Sequence, residues 1–295
     1  MNIGKLIRIS GFAALAGSAI FALPTFSTSG KADGARPAAV NAPPPVHLAN
    51  ISTRLAVGTA DNVLIGGFIV TGTLPKRIIV RGLGPLLPVS ENLADPTLQL
   101  HGPTGPIASN DNWRDTQQDS LKATTIPPSN DYDSAIVMSV NPGNYTAVLA
   151  GKGGTTGVAL LEIYDLELTV DSKLANISTR GFVGQNDNVL IGGTIVLGSG
   201  TTTVLFRAIG PSLPGVAGAL EDTTLELFNG QGQLVASNDN WRDSQEAEIQ
   251  NTTIPPNDPR EAAILRSLTP GAYTAVVRGK NNTTGVGLIE AYQLN

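Results

Sequence analysis

Cysteine is absent from this 295-residue sequence, and histidine, charged residues and aromatic residues are scarce. Without cysteine the chain has no disulfide, no cysteine-ligated zinc site, no thiol nucleophile and no lipidated cysteine. The two histidines, His47 and His101, are too few for a histidine-based metal site. Charged residues make up 15% of the chain, which excludes a coiled coil and a charge-rich disordered protein.

Glycine, proline and apolar residues are plentiful instead. The chain contains 33 glycines and 20 prolines, and 41% of its residues are hydrophobic. This composition predicts buried cores that are interrupted by frequent turns. The length exceeds that of one ordinary domain and fits two modules of roughly 120 residues with additional segments.

The amino end has the layout of a secretory signal peptide. Lys5 and Arg8 precede a small, apolar stretch over residues 9–23, and Pro24 and several small residues follow. We therefore predict a signal peptide over residues 1–30 and no transmembrane segment in the mature chain. Residues 31–47, rich in proline and alanine, form a predicted extended linker.

The charge of the chain supports an exported protein that does not bind nucleic acid. The formal net charge is −5, and it becomes more negative when Lys5 and Arg8 are removed with the signal peptide. Nucleic-acid binding depends on positive charge that neutralises phosphates. We expect the protein to be secreted or held at the cell surface.

Most of the remaining chain consists of two copies of one module. The sequence Leu-Ala-Asn-Ile-Ser-Thr-Arg occurs at 48–54 and again at 174–180. Further matched segments follow in the same order in both copies, which identifies an internal repeat. We predict modules at 48–168 and 174–295, and we expect them to lie nearly end to end because few residues separate them.

Within each module the pattern is that of short strands. Apolar and β-branched runs of period two are bounded by glycine, proline, asparagine or aspartate, as at residues 202–208 and 273–278. This predicts an all-β protein with two tandem antiparallel β-sandwich modules of about eight strands each. Asp115 and Asp243 stand three residues before Gln118 and Glu246, a capping-box spacing that predicts one short helix of two or three turns per module.

Two segments of the second copy carry a resemblance to a known family. Residues 225–240 (Leu-Glu-Leu-Phe-Asn-Gly-Gln-Gly-Gln-Leu-Val-Ala-Ser-Asn-Asp-Asn) and 268–279 (Leu-Thr-Pro-Gly-Ala-Tyr-Thr-Ala-Val-Val-Arg-Gly) resemble the bacterial pre-peptidase C-terminal family. The whole copy, including residues 207–213, is also similar to an uncharacterised repeat at the ends of large exported bacterial proteins. The first resemblance implies a secreted, jelly-roll-like sandwich; neither implies an established activity.

The densest polar segment, Ser-Asn-Asp-Asn-Trp-Arg-Asp, lies at 109–115 and 237–243. Calcium prefers several oxygen ligands, so this segment is a candidate calcium site in each copy. The alternative is a turn closed by asparagine and aspartate, without metal. No other cofactor is indicated. The candidate ligands are Asn110, Asp111, Asn112 and Asp115, and in the second copy Asn238, Asp239, Asn240 and Asp243.

Four charged residues lie inside apolar strands. Arg81 and Arg207 end such strands, and Glu162 and Glu290 stand within the closing strand of each copy. A buried carboxylate requires a partner, and arginine suits a carboxylate best. We therefore predict a structural Arg–Glu ion pair in each copy, without a catalytic role.

Each copy holds one tryptophan, Trp113 or Trp241. An exposed indole on a β-sandwich is a candidate platform for binding a sugar ring. A tryptophan that packs in the interior is the alternative. The sequence leaves both interpretations open.

The sequence favours a binding function over catalysis. It has no Gly-x-Ser-x-Gly elbow, no His-Glu-x-x-His motif and no glycine-rich phosphate loop. We predict a secreted, non-catalytic protein of binding, adhesion or surface assembly, with an extracellular protein or a polysaccharide as partner. The alternatives are a carbohydrate-binding protein and a polysaccharide-active hydrolase, whose paired carboxylates nothing in the sequence singles out.

Overall fold

The computed structural model describes residues 46–168, 171–186 and 188–294, so the predicted signal peptide (1–30) and most of the predicted linker (31–47) lie outside the described residues. The first repeat contributes eight strands: β1 (His47–Val57), β2 (Leu64–Gly72), β3 (Lys76–Leu83), β4 (Pro96–Gly102), β5 (Gly105–Asn110), β6 (Ser134–Val140), β7 (Gly143–Gly151) and β8 (Gly157–Asp165). The second repeat contributes another eight: β9 (Ser172–Val183), β10 (Leu190–Leu197), β11 (Thr202–Ile209), β12 (Thr223–Asn229), β13 (Leu234–Asn238), β14 (Ala262–Leu268), β15 (Gly271–Gly279) and β16 (Gly285–Gln293).

The strands form two antiparallel sheets, named here sheet A and sheet B. Sheet A has the order β13-β12-β15-β10-β1-β8-β3-β6, and sheet B has the order β14-β11-β16-β9-β2-β7-β4-β5. Within the first repeat, β1-β8-β3-β6 therefore faces β2-β7-β4-β5, which is the strand arrangement of a jelly roll. The second repeat has the same arrangement. The predicted all-β class, with two antiparallel sandwich modules of eight strands, is confirmed.

The two repeats lie side by side and share both sheets. Strand β1 pairs with β10 in sheet A, and the equivalent strands β9 and β2 pair in sheet B. Thr53 is opposite Gly192 in one pair, and Thr179 is opposite Gly66 in the other. The repeats are thus related by a pseudo-twofold axis, and their end-to-end placement expected from the short connection is wrong. The boundaries 48–168 and 174–295, as limits of independent domains, stay a prediction.

The axis passes through a contact between two equivalent threonines. Oγ1 of Thr53 and Oγ1 of Thr179 lie 2.8 Å apart in the interior and share a hydrogen bond. Thr53 and Thr179 are each 1% exposed. One apolar core continues from the first repeat to the second across this point, from Leu149 to Val277 among others.

Strand alternation decides which residues face the core and which face outward. Successive side chains of a strand point to opposite faces of the sheet. In β1, Ile51 and Leu55 belong to the core, whereas Asn50 and Ser52 lie on the outer face of sheet A. Polar residues within an otherwise apolar strand are thereby brought to one surface.

Each repeat has one short α-helix, α1 (Gln118–Lys122) and α2 (Glu246–Asn251), with 3-10 turns elsewhere at Ala60–Asn62, Lys152–Gly154, Trp241–Asp243 and Lys280–Asn282. The helices are shorter than expected and the predicted capping box is wrong. The N-cap residues are Gln117 and Gln245, and neither makes a side-chain cap. No helix in the described ranges is long and apolar enough to cross a membrane.

The glutamines before the helices bind edge strands instead. Nε2 of Gln117 donates to the carbonyl of Val137 at 2.8 Å, and the amide of Val137 donates back to Oε1 at 3.0 Å. Gln245 makes the same two bonds with Leu265. Each side-chain amide covers part of an edge strand, β6 or β14, and so blocks the addition of a strand from another chain at that place.

Candidate functional site

In the first repeat, the structure brings Arg81 and Glu162 together on the outer face of sheet A. The guanidinium of Arg81 forms an ion pair with Oε2 of Glu162, and its NH1 donates to the carbonyl of Ile126 at 2.8 Å. The hydroxyl of Tyr164 donates to Oε1 of Glu162 at 3.0 Å. The guanidinium also lies 5.1 Å from the centre of the Tyr164 ring. Every oxygen of this buried carboxylate therefore has a partner.

The second repeat has the same arrangement on the outer face of sheet B. Arg207 forms an ion pair with Glu290, and the hydroxyl of Tyr292 donates to Glu290 at 2.9 Å. Burial and then the charge of Glu290 raise the pKa of Tyr292 to about 12. Tyr292 therefore stays protonated at neutral pH and holds the carboxylate as a donor.

The polar segment of the first repeat is engaged within the fold. Oδ1 of Asn110 accepts the amide of Ala135 at 2.8 Å, and Nδ2 of Asn112 donates to Asp115 at 3.1 Å. The side chain of Asp111 forms an ion pair with Lys152 at 2.7 Å. Oδ1 of Asp111 and Oδ1 of Asn112 are buried without a hydrogen-bond partner, and Lys152 supplies a positive charge beside the segment.

The equivalent segment of the second repeat makes matching contacts. Asn238 accepts from the amide of Ala263 at 2.9 Å, Asn240 donates to Asp243 at 3.0 Å, and Lys280 pairs with Asp239 at 2.8 Å. No group of three or more histidine or acidic residues in the described part of the chain is arranged to hold a metal. The calcium site stays a prediction.

Both tryptophans lie in the interior. Trp113 is 3% exposed and Trp241 is 2% exposed, beneath Arg114 and Arg242 respectively. The indole nitrogen of each donates to a main-chain carbonyl, that of Asn130 for Trp113 at 3.0 Å. A buried indole offers no face to a sugar ring, so the platform interpretation is replaced by a packing role.

A groove crosses the outer face of sheet A at the junction of the repeats. It encloses about 260 Å³. Its floor runs over four adjacent strands, β8, β1, β10 and β15, and the hairpin between β12 and β13 forms a rim. Its lining comes from both repeats: Asn50, Ser52, Leu160, Glu162 and Tyr164 from the first, and residues 193–195, 228–232 and 272–274 from the second.

The groove combines apolar surface with amide groups. Phe228 packs on the outer-face cluster of Val189, Ile191 and Val276 and borders the groove. At the rim, Oδ1 of Asn229 accepts the amides of two following residues at 2.9 and 3.0 Å, which fixes the hairpin. Such surfaces, apolar with a few placed polar groups, are typical of binding sites.

Asn50 is the unusual residue of the groove. It is 3% exposed, and its Oδ1 has no hydrogen-bond partner. Asn50 lies opposite Tyr164 where β1 pairs with β8. A buried carbonyl oxygen without a partner is costly, so it marks a place where a bound donor would be favourable.

Asn50 was not among the site residues predicted from the sequence. The detectable feature was an asparagine in the middle of an apolar strand that recurs at Asn176 in the other copy. Its place opposite Tyr164, one position along the same face from Glu162, depends on the pairing of β1 with β8. That pairing joins residues far apart in the chain and leaves no local pattern.

Charge within the groove is largely compensated. Glu162 is the acidic residue of the lining, and Arg81 neutralises it. Burial, and then the charge of Glu162, raises the pKa of the Tyr164 hydroxyl well above its usual range. The groove therefore presents an almost neutral wall at physiological pH.

The buried carboxylate of Asp133, near Arg81 and Glu162, makes the free energy of unfolding depend on pH. Oδ1 of Asp133 accepts the amide of Gly84 at 3.0 Å. Burial raises the pKa of Asp133 above its ordinary value of 3.8. Hydrogen bonds from Gly84 and Asn130 and the charge of Arg81 lower the pKa in part, and the charge of Glu162 raises it further. The folded state thus keeps the proton to higher pH than the unfolded state does.

We expect Asp133→Asn to remove a pH-dependent contribution to stability. A raised pKa in the folded state contributes stability that is complete below the unfolded pKa and is lost as pH rises through the folded pKa. Between pH 7 and the ordinary pKa of 3.8, the free energy of unfolding of the variant should rise less on acidification than that of the wild type. Urea denaturation at a series of pH values measures this, and equal slopes would contradict it.

Comparison with known proteins finds only solved structures of low sequence identity and low TM-score among those described below. No family model and no curated protein match the sequence. The chain is similar to the M60 catalytic domain of Clostridium perfringens ZmpB with its CBM51-1 and CBM51-2 domains (7% identity, TM-score 0.20), where the match covers 76% of this chain and 33% of that one. It is also similar to a structure from the Sulfolobus turreted icosahedral virus (12% identity, TM-score 0.23, covering 84% and 91%).

A third similar structure is a DUF4785 family protein from Legionella pneumophila (10% identity, TM-score 0.24, covering 83% of this chain and 63% of that one). The match to this chain covers only 33% of the length of the ZmpB structure. Similarities at this level assign no function, and the resemblance to the pre-peptidase C-terminal family stays a prediction.

Proposed function

We propose that this protein is a non-catalytic binding protein that acts at or outside the cell surface and holds an uncharged, hydroxyl-rich chain, a neutral polysaccharide, in the groove of sheet A. The observation that carries the proposal is the buried amide oxygen of Asn50, which lines the groove without a hydrogen-bond partner. A sugar hydroxyl is a donor that suits this oxygen.

The composition of the groove supports a neutral ligand. Arg81 compensates the charge of Glu162, so the lining offers no unpaired charge to attract an ionic group. The remaining polar groups are hydroxyls, amides and main chain, such as Ser52 and Gln231, beside the apolar surface of Phe228. Sugars combine hydroxyls with weakly polar C–H faces, and aromatic and amide groups match both.

The same geometry supports a binding role without catalysis. Glycoside hydrolysis uses two carboxylates, about 5 to 10 Å apart, on either side of the bond that breaks. The groove lining contains one, Glu162, and both of its oxygens are held by Arg81 and Tyr164. A carboxylate fixed in this way serves as part of the wall.

Export is part of the proposal and rests on the amino end of the sequence. Residues 1–30 have the order of a signal peptide, and the chain has no cysteine to be oxidised outside the cell. Cell fractionation of the tagged protein would test this part independently of ligand binding.

The binding test uses two groove variants and one matched control. A glycan array of neutral oligosaccharides identifies a ligand, and isothermal titration then measures its affinity. We expect Asn50→Leu and Phe228→Ala each to weaken binding about three- to tenfold, the effect of losing one hydrogen bond or one apolar contact. Phe182→Ala should leave the affinity unchanged, because Phe182 is an exposed aromatic residue, 49% exposed, on β9 of the other sheet.

The result that would contradict the proposal is also specific. Equal affinity in the wild type and in both groove variants, with circular dichroism showing all of them folded, would place the ligand elsewhere. An absence of binding to every neutral glycan would remove the polysaccharide as ligand.

A further inference from the structure

We infer that the outer face of sheet B carries a second site for the same class of ligand, an uncharged, hydroxyl-rich chain, so that one molecule bridges two such chains. This inference rests on the proposed function. It concerns Asn176 and the residues around it, which are the pseudo-twofold equivalents of Asn50 and its neighbours.

The pseudo-twofold axis places the same constellation on both outer faces. Asn50 pairs with Tyr164 across β1 and β8, and Asn176 pairs with Tyr292 across β9 and β16. Ser52 is opposite Glu162, and Ser178 is opposite Glu290. The two sets lie in different sheets, whose outer faces point away from each other.

Asn176 has the property that marks Asn50. It is 5% exposed, and its Nδ2 has no hydrogen-bond partner. A buried amide nitrogen without a partner is unfavourable unless something accepts its hydrogen bond. Asn50 leaves an acceptor free and Asn176 leaves a donor free, and a hydroxyl can satisfy either one.

The acid beside each asparagine is neutralised in the same way. Arg207 pairs with Glu290, and Tyr292 donates to it at 2.9 Å. The second face therefore also lacks an unpaired charge at this place. A neutral ligand suits both faces for the same physical reason.

The rims of the two faces differ, so we expect unequal affinities. Phe228 on β12 pairs with Thr274, and its equivalent His101 on β4 pairs with Thr146. The hairpin after His101 contains Pro103, where the hairpin after Phe228 is rich in glycine and glutamine. Because phenylalanine offers more apolar surface than histidine, the face of sheet A should bind more tightly.

Two sites on opposite faces have a consequence for the ligand. Packed sheets lie about 10 Å apart, and the outer surfaces are further apart still. A short oligosaccharide fills one site only, whereas a long polysaccharide in one site leaves the other free for a second chain. The protein would then cross-link polysaccharides, and multivalent contact would strengthen its hold on a surface.

Isothermal titration of the full chain with neutral gluco-, xylo- and manno-hexasaccharides measures the number of sites. We expect two molecules of the bound hexasaccharide per wild-type chain, with Asn50→Leu weakening one site about three- to tenfold and Asn176→Leu weakening the other by a similar factor. Ser178→Trp, which blocks the second face without removing a buried amide, should leave one site. Phe182→Ala, on the same sheet but outside the constellation, should keep two.

Turbidity with the corresponding long polysaccharide gives an independent readout. The wild type and Phe182→Ala should precipitate the polymer, and Ser178→Trp should bind it without precipitation. One hexasaccharide per wild-type chain, weakened by Asn50→Leu and unaffected by Asn176→Leu and Ser178→Trp, would overturn the second site and leave the proposed function intact. No binding of any hexasaccharide would overturn both.

Discussion

Lys76→Thr alone is expected to lower the free energy of unfolding by about 3 to 5 kcal/mol, because it leaves the buried carboxylate of Asp165 without its ionic partner. Nζ of Lys76 lies 2.9 Å from Oδ2 of Asp165, and both side chains are 1% exposed. Nζ also donates to the carbonyl of Glu167 at 2.7 Å. Asp165→Gln alone should be similarly harmful, since it leaves the ammonium group buried.

The second repeat supplies the matched control for this prediction. Thr202 and Gln293 occupy the equivalent positions, and their side chains are 3.1 Å apart. The double variant Lys76→Thr/Asp165→Gln gives the first repeat the same uncharged pair, and it should recover most of the stability lost in either single variant. Urea denaturation measures all three. A double variant no more stable than Lys76→Thr would contradict this account of the pair.

The first repeat on its own, residues 46–168, is expected to form a homodimer. Alone, it would leave the edges of β1 and β2 unpaired, where the whole chain has β10 and β9. The pairing of β9 with β2 has the same register as the pairing of β1 with β10. Each pairing also has a β-bulge, beside Asn176 in β9 and beside Asn50 in β1. A second copy of the first repeat can therefore take its place across a true twofold axis.

Sedimentation equilibrium and thermal unfolding test this expectation. The isolated repeat should have twice the mass of one repeat, and its unfolding temperature should rise with protein concentration. Thr53→Arg places a charge on the buried axis and should abolish the dimer, whereas Leu86→Arg, at a side chain 63% exposed, should preserve it. A stable monomer whose unfolding temperature is independent of concentration would show that the repeats are independent.

Much of the fold could be predicted because its determinants are local. Period-two runs such as residues 202–208 and the repeated Leu-Ala-Asn-Ile-Ser-Thr-Arg define strands and duplication directly. The joining of the repeats could not be predicted in this way. It depends on which edge strands pair, and β1 and β2 look the same in sequence whether their partners lie in their own repeat or in the other.

The helix start shows how a local pattern can mislead. Asp115 has the spacing of a capping residue, but its carboxylate accepts from Asn112 while Gln117 takes the N-cap position. The side chain of Gln117 is used to hold β6. A tertiary contact with a distant strand decided the outcome, and no nearby residue indicates it.

The candidate site was predictable only where chemistry demands a partner. A carboxylate inside an apolar strand, such as Glu162, requires an arginine, and few arginines stand in comparable strands. Asn50 carries no charge and makes no such demand, so its role emerged only from the pairing of β1 with β8. The groove itself is shaped by both repeats and by a hairpin of the second.

The most direct test of the central claim, that the junction groove binds a neutral glycan, is a nuclear magnetic resonance titration of the full chain with the hexasaccharide that it binds. We predict that the side-chain amide of Asn50 and the main-chain amide of Gly193 shift on addition, while the indole signals of Trp113 and Trp241 stay unchanged. Shifts at the two indoles, with Asn50 and Gly193 unaffected, would contradict the account.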